Sequence, residues 1–226
     1  MNFAGRRSCS IQGGPTNASA TTTRRRTPGW PDSSSVLLQP AALELLTALE
    51  PVLARWGRWY VFGAQAVIVY GVPRLSADVD VTLALEPDTP DAFAREMHAA
   101  GFTLRVADPD FVRRTRVMPF VHEATGMPLD VVLAGSGIED EFLKRAVLTD
   151  LGTTSVPVID PADLIVAKLL AGRPKDMEDA RALWRLHGGE LDAARVRRTL
   201  SQLEEALSQS DLVPAFDGLV HRSFGG

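Results

Sequence analysis

From Val36 onward the chain falls into blocks of apolar and polar positions whose periods predict its elements. Leu37, Leu38, Ala41, Leu45, Leu46 and Leu49 recur at helical spacing. They predict an amphipathic helix, broken near Pro51 and resumed to Trp56, because an interior proline forfeits a helical hydrogen bond. Trp59–Phe62 reads as a short strand, and Gly63 turns the chain into an apolar helix over 64–70 that Gly71 and Pro73 close. Val79, Val81 and Leu83 alternate with Asp78, Asp80 and Thr82, the period of a strand with two unlike faces. A helix over 91–100 and strands over 102–106, 114–122 and 128–133 follow, the last two joined by a turn at Thr125 and Gly126. Residues 138–148 read as helix and 154–158 as an edge strand, since Pro157 cannot donate to a ladder. Beyond that the pattern is all helical. Asp160 with Pro161 opens a helix that stops at Gly172, Pro174 opens one that ends at Gly188 and Gly189, and Asp192 caps a third that runs to Leu207.

These elements predict an α+β fold: a mixed β-sheet with flanking helices over 36–158, a small helical subdomain over 159–208 and a tail over 209–226. With 45% hydrophobic and 23% charged residues among 226, the chain can fill one core and a helical annex. Charge is uneven. Residues 1–35 hold five arginines and one acid, which leaves 19 basic against 27 acidic residues in the remainder, so the body is not built to coat nucleic acid. The leading segment has too few apolar side chains to offset the entropy of ordering and is predicted to be disordered. Its Arg24, Arg25 and Arg26 can meet phosphates, although a solvated tail is the simpler reading. Cys9 is the single cysteine, which excludes an internal disulfide and a cysteine zinc cluster and fits a reducing cytoplasm. No apolar run approaches the roughly 18–20 residues of a membrane span, and no signal-peptide core follows Arg6 and Arg7.

The informative stretch is FGAQAVIVYGVPRLSADVDVTL, residues 62–83. Two residues apart on a strand means one face, so Asp78 and Asp80 project together while Val79 and Val81 enter the core. Two adjacent carboxylates repel, and no lysine or arginine beside them offsets this, whereas a divalent cation would. Taken alone, such a pair also fits a solvated strand face. A second strand, MPLDVVL, sets Asp130 among apolar neighbours, where an ionised carboxylate needs a partner. If the two strands adjoin, three carboxylates can hold two metal ions, and oxygen ligands shared with phosphates suit magnesium, with manganese as the substitute.

A glycine followed by glycine or serine, a spacer, a strand Asp-x-Asp and a later lone strand Asp is the pattern of polymerase-beta-type nucleotidyltransferases, and this chain resembles that superfamily. Gly63 and Ala64, thirteen spacer residues, Asp78 and Asp80 follow its spacing, and Arg74 and Ser76 before the acids resemble the R-x-S/T-x-D-I-D run of bacterial members. Ala64 departs from the usual glycine or serine and loses a hydroxyl contact to the triphosphate, leaving the helix-start amides at Gly63 to hold phosphate. The resemblance implies a nucleotidyltransferase-like sheet and in-line transfer of a nucleoside monophosphate from a nucleoside triphosphate to an acceptor hydroxyl. Asp78, Asp80 and Asp130 would be the metal ligands. A catalytically weak nucleotide- or partner-binding relative and a metal-dependent phosphoesterase are the alternatives.

A second constellation is DPADLIVAKLLAGRPKDMEDARALW, residues 160–184. Leu164, Ile165, Val166, Leu169 and Leu170 surround Lys168, so its ammonium needs an anion unless it snorkels to the surface. This part is similar to the toxin-like nucleotidyltransferases of the AbiE and MenT kinds, whose helical region supplies a lysine and a K-D-x-x-D sequence to the active site. That resemblance implies a catalytic role for Lys168, neutralising charge that grows on the triphosphate, a nucleotide-site role for Asp176 and Asp179, a tRNA or protein acceptor, and an antitoxin-like partner. First-turn acids also serve a helix N-terminus without further function. Arg105, Arg113, Arg114 and Arg116 crowd the region before Asp130 and suit either a polyanionic acceptor or a solvated loop. His122 and His187 lack ligand spacing, and Ser136 is not in a nucleophile elbow.

Overall fold

The computed structural model describes residues 38–85, 89–106, 108–135 and 137–223. The disorder predicted for 1–35 lies outside them, as does Ser136.

Helix α1 (Pro40–Trp56) runs unbroken through Pro51. The expected break does not occur because Leu45, Leu46, Leu49, Val52 and Leu53 are buried on both sides of the proline. Together they outweigh the roughly 3 kcal/mol an interior proline costs. Strand β1 (Trp59–Phe62) passes directly into α2 (Gly63–Val69), and β2 (Val79–Leu83) returns antiparallel beside β1. After α3 (Pro90–Ala99), strand β3 (Phe102–Leu104) stops short of the predicted 106. The strand expected from 114 is in part a helix, α4 (Pro109–Thr115), whose start is capped by the Asp108 side chain, and β4 (Val117–His122) begins after it. β5 (Pro128–Leu133) has the predicted limits.

The helix expected over 138–148 divides into α5 (Ile138–Arg145) and β6 (Val147–Asp150), the hairpin partner of β7 (Ser155–Val158). β7 is therefore internal and β6 takes the edge, in a seven-stranded order β3-β4-β5-β2-β1-β7-β6 among the described residues. Pro157 is tolerated inside because β1 pairs with β7 only at Val61 and Val158. β2 with β5 and β1 with β7 are parallel pairs, and the other neighbours are antiparallel.

The two sheet faces differ as the alternation requires. Val79, Val81, Leu83, Leu129 and Val131 are fully buried. Phe120, opposite Leu129, shares their face and meets Phe93 of α3 edge-on at 6.1 Å, which meets Trp56 of α1 at 5.5 Å. Helices α1 and α3 thus cover this side. The other side carries Asp80 and Asp130 and is approached by α2, with α6 (Pro161–Ala171) against α2. Against α6 pack α7 (Pro174–His187), α8 (Ala193–Leu207) and α9 (Leu212–Ser223). The caps are the predicted ones: the Asp160 carboxylate accepts from the Ala162 and Asp163 amides, Gly172 ends α6 at φ 65°, and Asp192 accepts from the Arg195 amide. The sequence pattern predicts only a tail beyond 208. Pro214 and Gly218 weaken the helical signal of α9, which is held instead by buried Leu212, Phe216 and Leu219 and by an edge-on contact of Phe216 with Trp184 at 5.1 Å.

Candidate active site

Asp80 and Asp130 are direct register partners on the parallel strands β2 and β5, and Asp78 stands two residues ahead of Asp80. Same-parity positions in paired strands face one way, so Asp80 and Asp130 share one side of the sheet, and Asp78, just before β2, adds its charge to theirs at Asp80. Gly63, at the turn from β1 into α2, has φ +64°, and a Cβ built on it would run into the Asp80 carboxylate. Left-handed backbone and close approach together select glycine. Ala64 beside it is buried.

Asp78 is held from behind. Gln65, almost wholly buried on α2, donates from Nε2 to the Asp78 carbonyl at 2.8 Å. Ser76 Oγ donates to the same carbonyl at 3.1 Å and to the Asp78 carboxylate at 2.8 Å. Ser76, a nucleotide-site residue by resemblance, is thus turned to Asp78.

Arg74 turns the other way, to Asp179, with both side chains about nine-tenths buried. Asp179 also takes Lys168 Nζ at 2.7 Å, Lys168 reaches Asp176 at 2.9 Å, and Asp176 takes Arg173 Nε at 2.5 Å. Lys168 therefore has its anions within the chain, and Asp176 and Asp179 do more than serve the start of α7: they tie α6, α7 and the loop before β2 into one buried ion network. Burial opposes ionisation of Asp176, but Arg173 and Lys168 more than offset it and hold its carboxyl below the ordinary range.

Among the described residues Asp80 has no such ion-pair partner. Burial first, then the charges of Asp78 and Asp130, push its carboxyl up to about 6, while Lys168 and Arg173 pull the other way. Asp130 does have one: Arg105 Nη2 donates to its carboxylate at 2.6 Å. Among the described residues no three Asp, Glu, His or Cys side chains are drawn close enough to hold a metal ion.

A cavity of about 510 Å³ opens beside Asp78, lined by Gln39, Leu75, Ser76, Ala77, Asp78 and Lys175. Of the arginines before Asp130, Arg113 pairs with Asp110, Arg114 with Asp108 at 3.9 Å, and Arg116 donates to the carbonyls of Leu133 and Ala134. His122 Nδ1 bonds Thr125 Oγ1 at 2.9 Å and His187 Nε2 bonds the Tyr70 carbonyl at 2.7 Å, both structural contacts. Sequence reasoning missed Gln65 and Arg173. Nothing in the spacing marks Gln65, but an arginine just ahead of Pro174 and the K-D-x-x-D sequence was a usable signal for Arg173.

No family model matches the chain, and no curated protein matches it in sequence. Solved structures do. The antibiotic-resistance factor ANT(2'')-Ia in solution matches with TM-score 0.51 and 13% identity, over 79% of this chain and 95% of its own. The fold is nucleotidyltransferase-like. A crystal structure of ANT(2'')-Ia in complex with adenylyl-2''-tobramycin has TM-score 0.47 and 14% identity over 74% of this chain and 98% of that one. An antigenic nucleotidyltransferase-like protein from Paracoccidioides brasiliensis has TM-score 0.45 and 13% identity over 78% and 91%. Asp80 and Asp130 stand on the sheet, and Lys168 of α6 and Arg173 of the loop after it are the cations whose charge draws the Asp80 value down. Among the described residues no helix is long and apolar enough to cross a membrane.

Proposed function

We propose that the protein is a metal-dependent nucleotidyltransferase that moves a nucleoside monophosphate from a nucleoside triphosphate to an acceptor hydroxyl. The observation that carries this reading is the register of β2 on β5, with Asp80 opposite Asp130 and Asp78 two residues ahead. The acids have the donor chemistry of a divalent-cation site, although as the side chains stand no three of them close on one point: they are oxygen donors, Asp80 is pushed up to about 6 by burial first and then by Asp78 and Asp130, and Gly63 leaves its carboxylate room. Asp78, Asp80 and Asp130 would hold two Mg²⁺ ions, or Mn²⁺ in their place, which when bound supply positive charge to the triphosphate and ease ionisation of the acceptor hydroxyl.

The chain's own groups account for the rest. The acceptor oxygen bonds to the α-phosphorus, the bond from that phosphorus to the bridging oxygen breaks, and pyrophosphate leaves. Asp130 would take the hydroxyl proton. The amides at Gly63 and Ala64 take phosphate oxygens. Lys168, buried between Asp176 and Asp179, fixes the helical wall, and the exposed Lys175, with Arg173 once it turns from Asp176, would meet the triphosphate. Acceptor and role extend the AbiE and MenT resemblance: a tRNA or protein hydroxyl, in a toxin-type cytoplasmic enzyme with an antitoxin-like partner.

The test uses each α-labelled triphosphate with Mg²⁺ and, as acceptor pools, total RNA, cell protein, small metabolites and antibiotics. Wild type should transfer label. Joint replacement Asp78→Ala and Asp80→Ala should abolish transfer while far-UV circular dichroism stays native, and retained labelling refutes the assignment. Ala64 favours a second reading, a relative that binds nucleotide or a partner weakly without transfer. Nucleotide that raises the melting temperature equally with and without Mg²⁺, in a protein that labels nothing, would establish it. Release of nucleotide products without any acceptor would indicate a phosphoesterase instead.

A further inference from the structure

One row crosses the acidic side of the sheet. Asp80 is opposite Asp130, Asp130 is opposite Pro119 of β4, and the Arg105 amide donates to the Pro119 carbonyl at 2.8 Å just past the end of β3. Residues in register across neighbouring strands face the same way, so Arg105 rises on the side that carries the acids. Pro119 between them is short, and the Arg105 guanidinium passes over it to reach Asp130 at 2.6 Å. The other three arginines of this region are held by Asp108, Asp110 and backbone carbonyls. Arg105 alone among them contacts the acids of the candidate site.

We propose that Arg105 is a displaceable counter-ion of Asp130: it competes with a divalent cation for that carboxylate, so that Arg105 sets the metal affinity of the site. The inference rests on the metal-binding reading of Asp78, Asp80 and Asp130. Its physical basis is competition. The guanidinium on Asp130 Oδ1 takes up part of that carboxylate's acceptor capacity, and its positive charge repels an arriving cation. The pair is half exposed, with 42% of the Arg105 and 37% of the Asp130 side chain accessible, so solvent weakens it and a divalent ion can win. Arg105 is accordingly a positioning residue, acting through Asp130.

The experiment is Mn²⁺ binding to the full-length chain, read by electron paramagnetic resonance and calorimetry without nucleotide. Arg105→Gln should bind Mn²⁺ about two- to fivefold more tightly than wild type, as expected for loss of an exposed ion pair, and Arg105→Lys should lie close to wild type. Raising the salt concentration should shrink the difference. Equal or weaker Mn²⁺ affinity in a folded Arg105→Gln protein overturns the proposal, because Arg105 would then be neutral to the site or would hold Asp130 ready for metal. Asp80→Asn separates this from the parent reading: if it leaves Mn²⁺ binding unchanged, the ion binds elsewhere and both readings fall. Loss of binding in Asp80→Asn together with no effect of Arg105→Gln removes the counter-ion alone.

Discussion

The Asp80 carboxyl lies partly buried against Gly63 and between two other acids, and its value of about 6 exceeds the ordinary 3.8. The sign of the consequence follows from proton counting. Between these two values the folded chain keeps a proton that the unfolded chain has lost, so stability falls as pH rises through that window, and the penalty is complete above it. Its size is on the order of 1–3 kcal/mol once solvent screening of a partly buried group is allowed for. Metal-free protein should therefore melt at a lower temperature at neutral pH than at about pH 5, by linkage. Asp80→Asn should raise the neutral-pH melting temperature and flatten the profile across the window. A wild-type profile that is already flat, or one that Asp80→Asn leaves unchanged, removes Asp80 as the strained acid. At this scale the sequence was legible where spacing alone decides: Gly63, Asp78, Asp80 and Asp130 each have a type and an interval that chemistry restricts. Arg74 and Ser76 were not, because a long or small polar side chain in a loop takes whichever partner the fold offers, here Asp179 and Asp78.

Between elements, the ion network holds α6 and α7 to the loop that carries the acids. Asp179 is its centre, since it satisfies both Lys168 and Arg74. Asp179→Ala leaves Arg74 buried without an acid and should cost about 3–5 kcal/mol in urea unfolding, the usual penalty for an uncompensated buried charge. Lys168→Met should cost less, because Asp176 keeps Arg173 and Asp179 keeps Arg74. The reverse order would make the ammonium, rather than Asp179, the member that cannot be spared. Elements with local signals were readable: β2 and β5 through their alternation, and α6 to α8 through Asp160, Gly172, Pro174 and Asp192. β6 was not, because Val147–Asp150 follows a helix without a glycine or proline to separate them, and its identity depends on pairing with β7. The same pairing moved β7 from edge to interior. The parity of Asp80 and Asp130 was visible in the alternation, whereas their register against each other belongs to the sheet.

Across the whole molecule, one continuous apolar core runs from Leu45 and Leu49 of α1 through Val81 and Val131 of the sheet to Leu164, Trp184 and Phe216 of the last helices. Asp80 and Asp130 stand on the sheet, and Lys168 and Arg173, whose charges draw the Asp80 value down, belong to the helical part, so the candidate site keeps its shape only while the two parts stay joined. A shared core makes them one cooperative unit. Phe216, fully buried and edge-on to Trp184, is the far end of that unit. Phe216→Ala should lower global stability by about 3–5 kcal/mol, with tryptophan fluorescence and far-UV circular dichroism falling together at a lower urea midpoint and an unchanged slope. Fluorescence that changes first, with most of the circular dichroism retained, would mean that the annex melts from a sheet that survives it. The cations would then be supplied by a unit able to leave the acids.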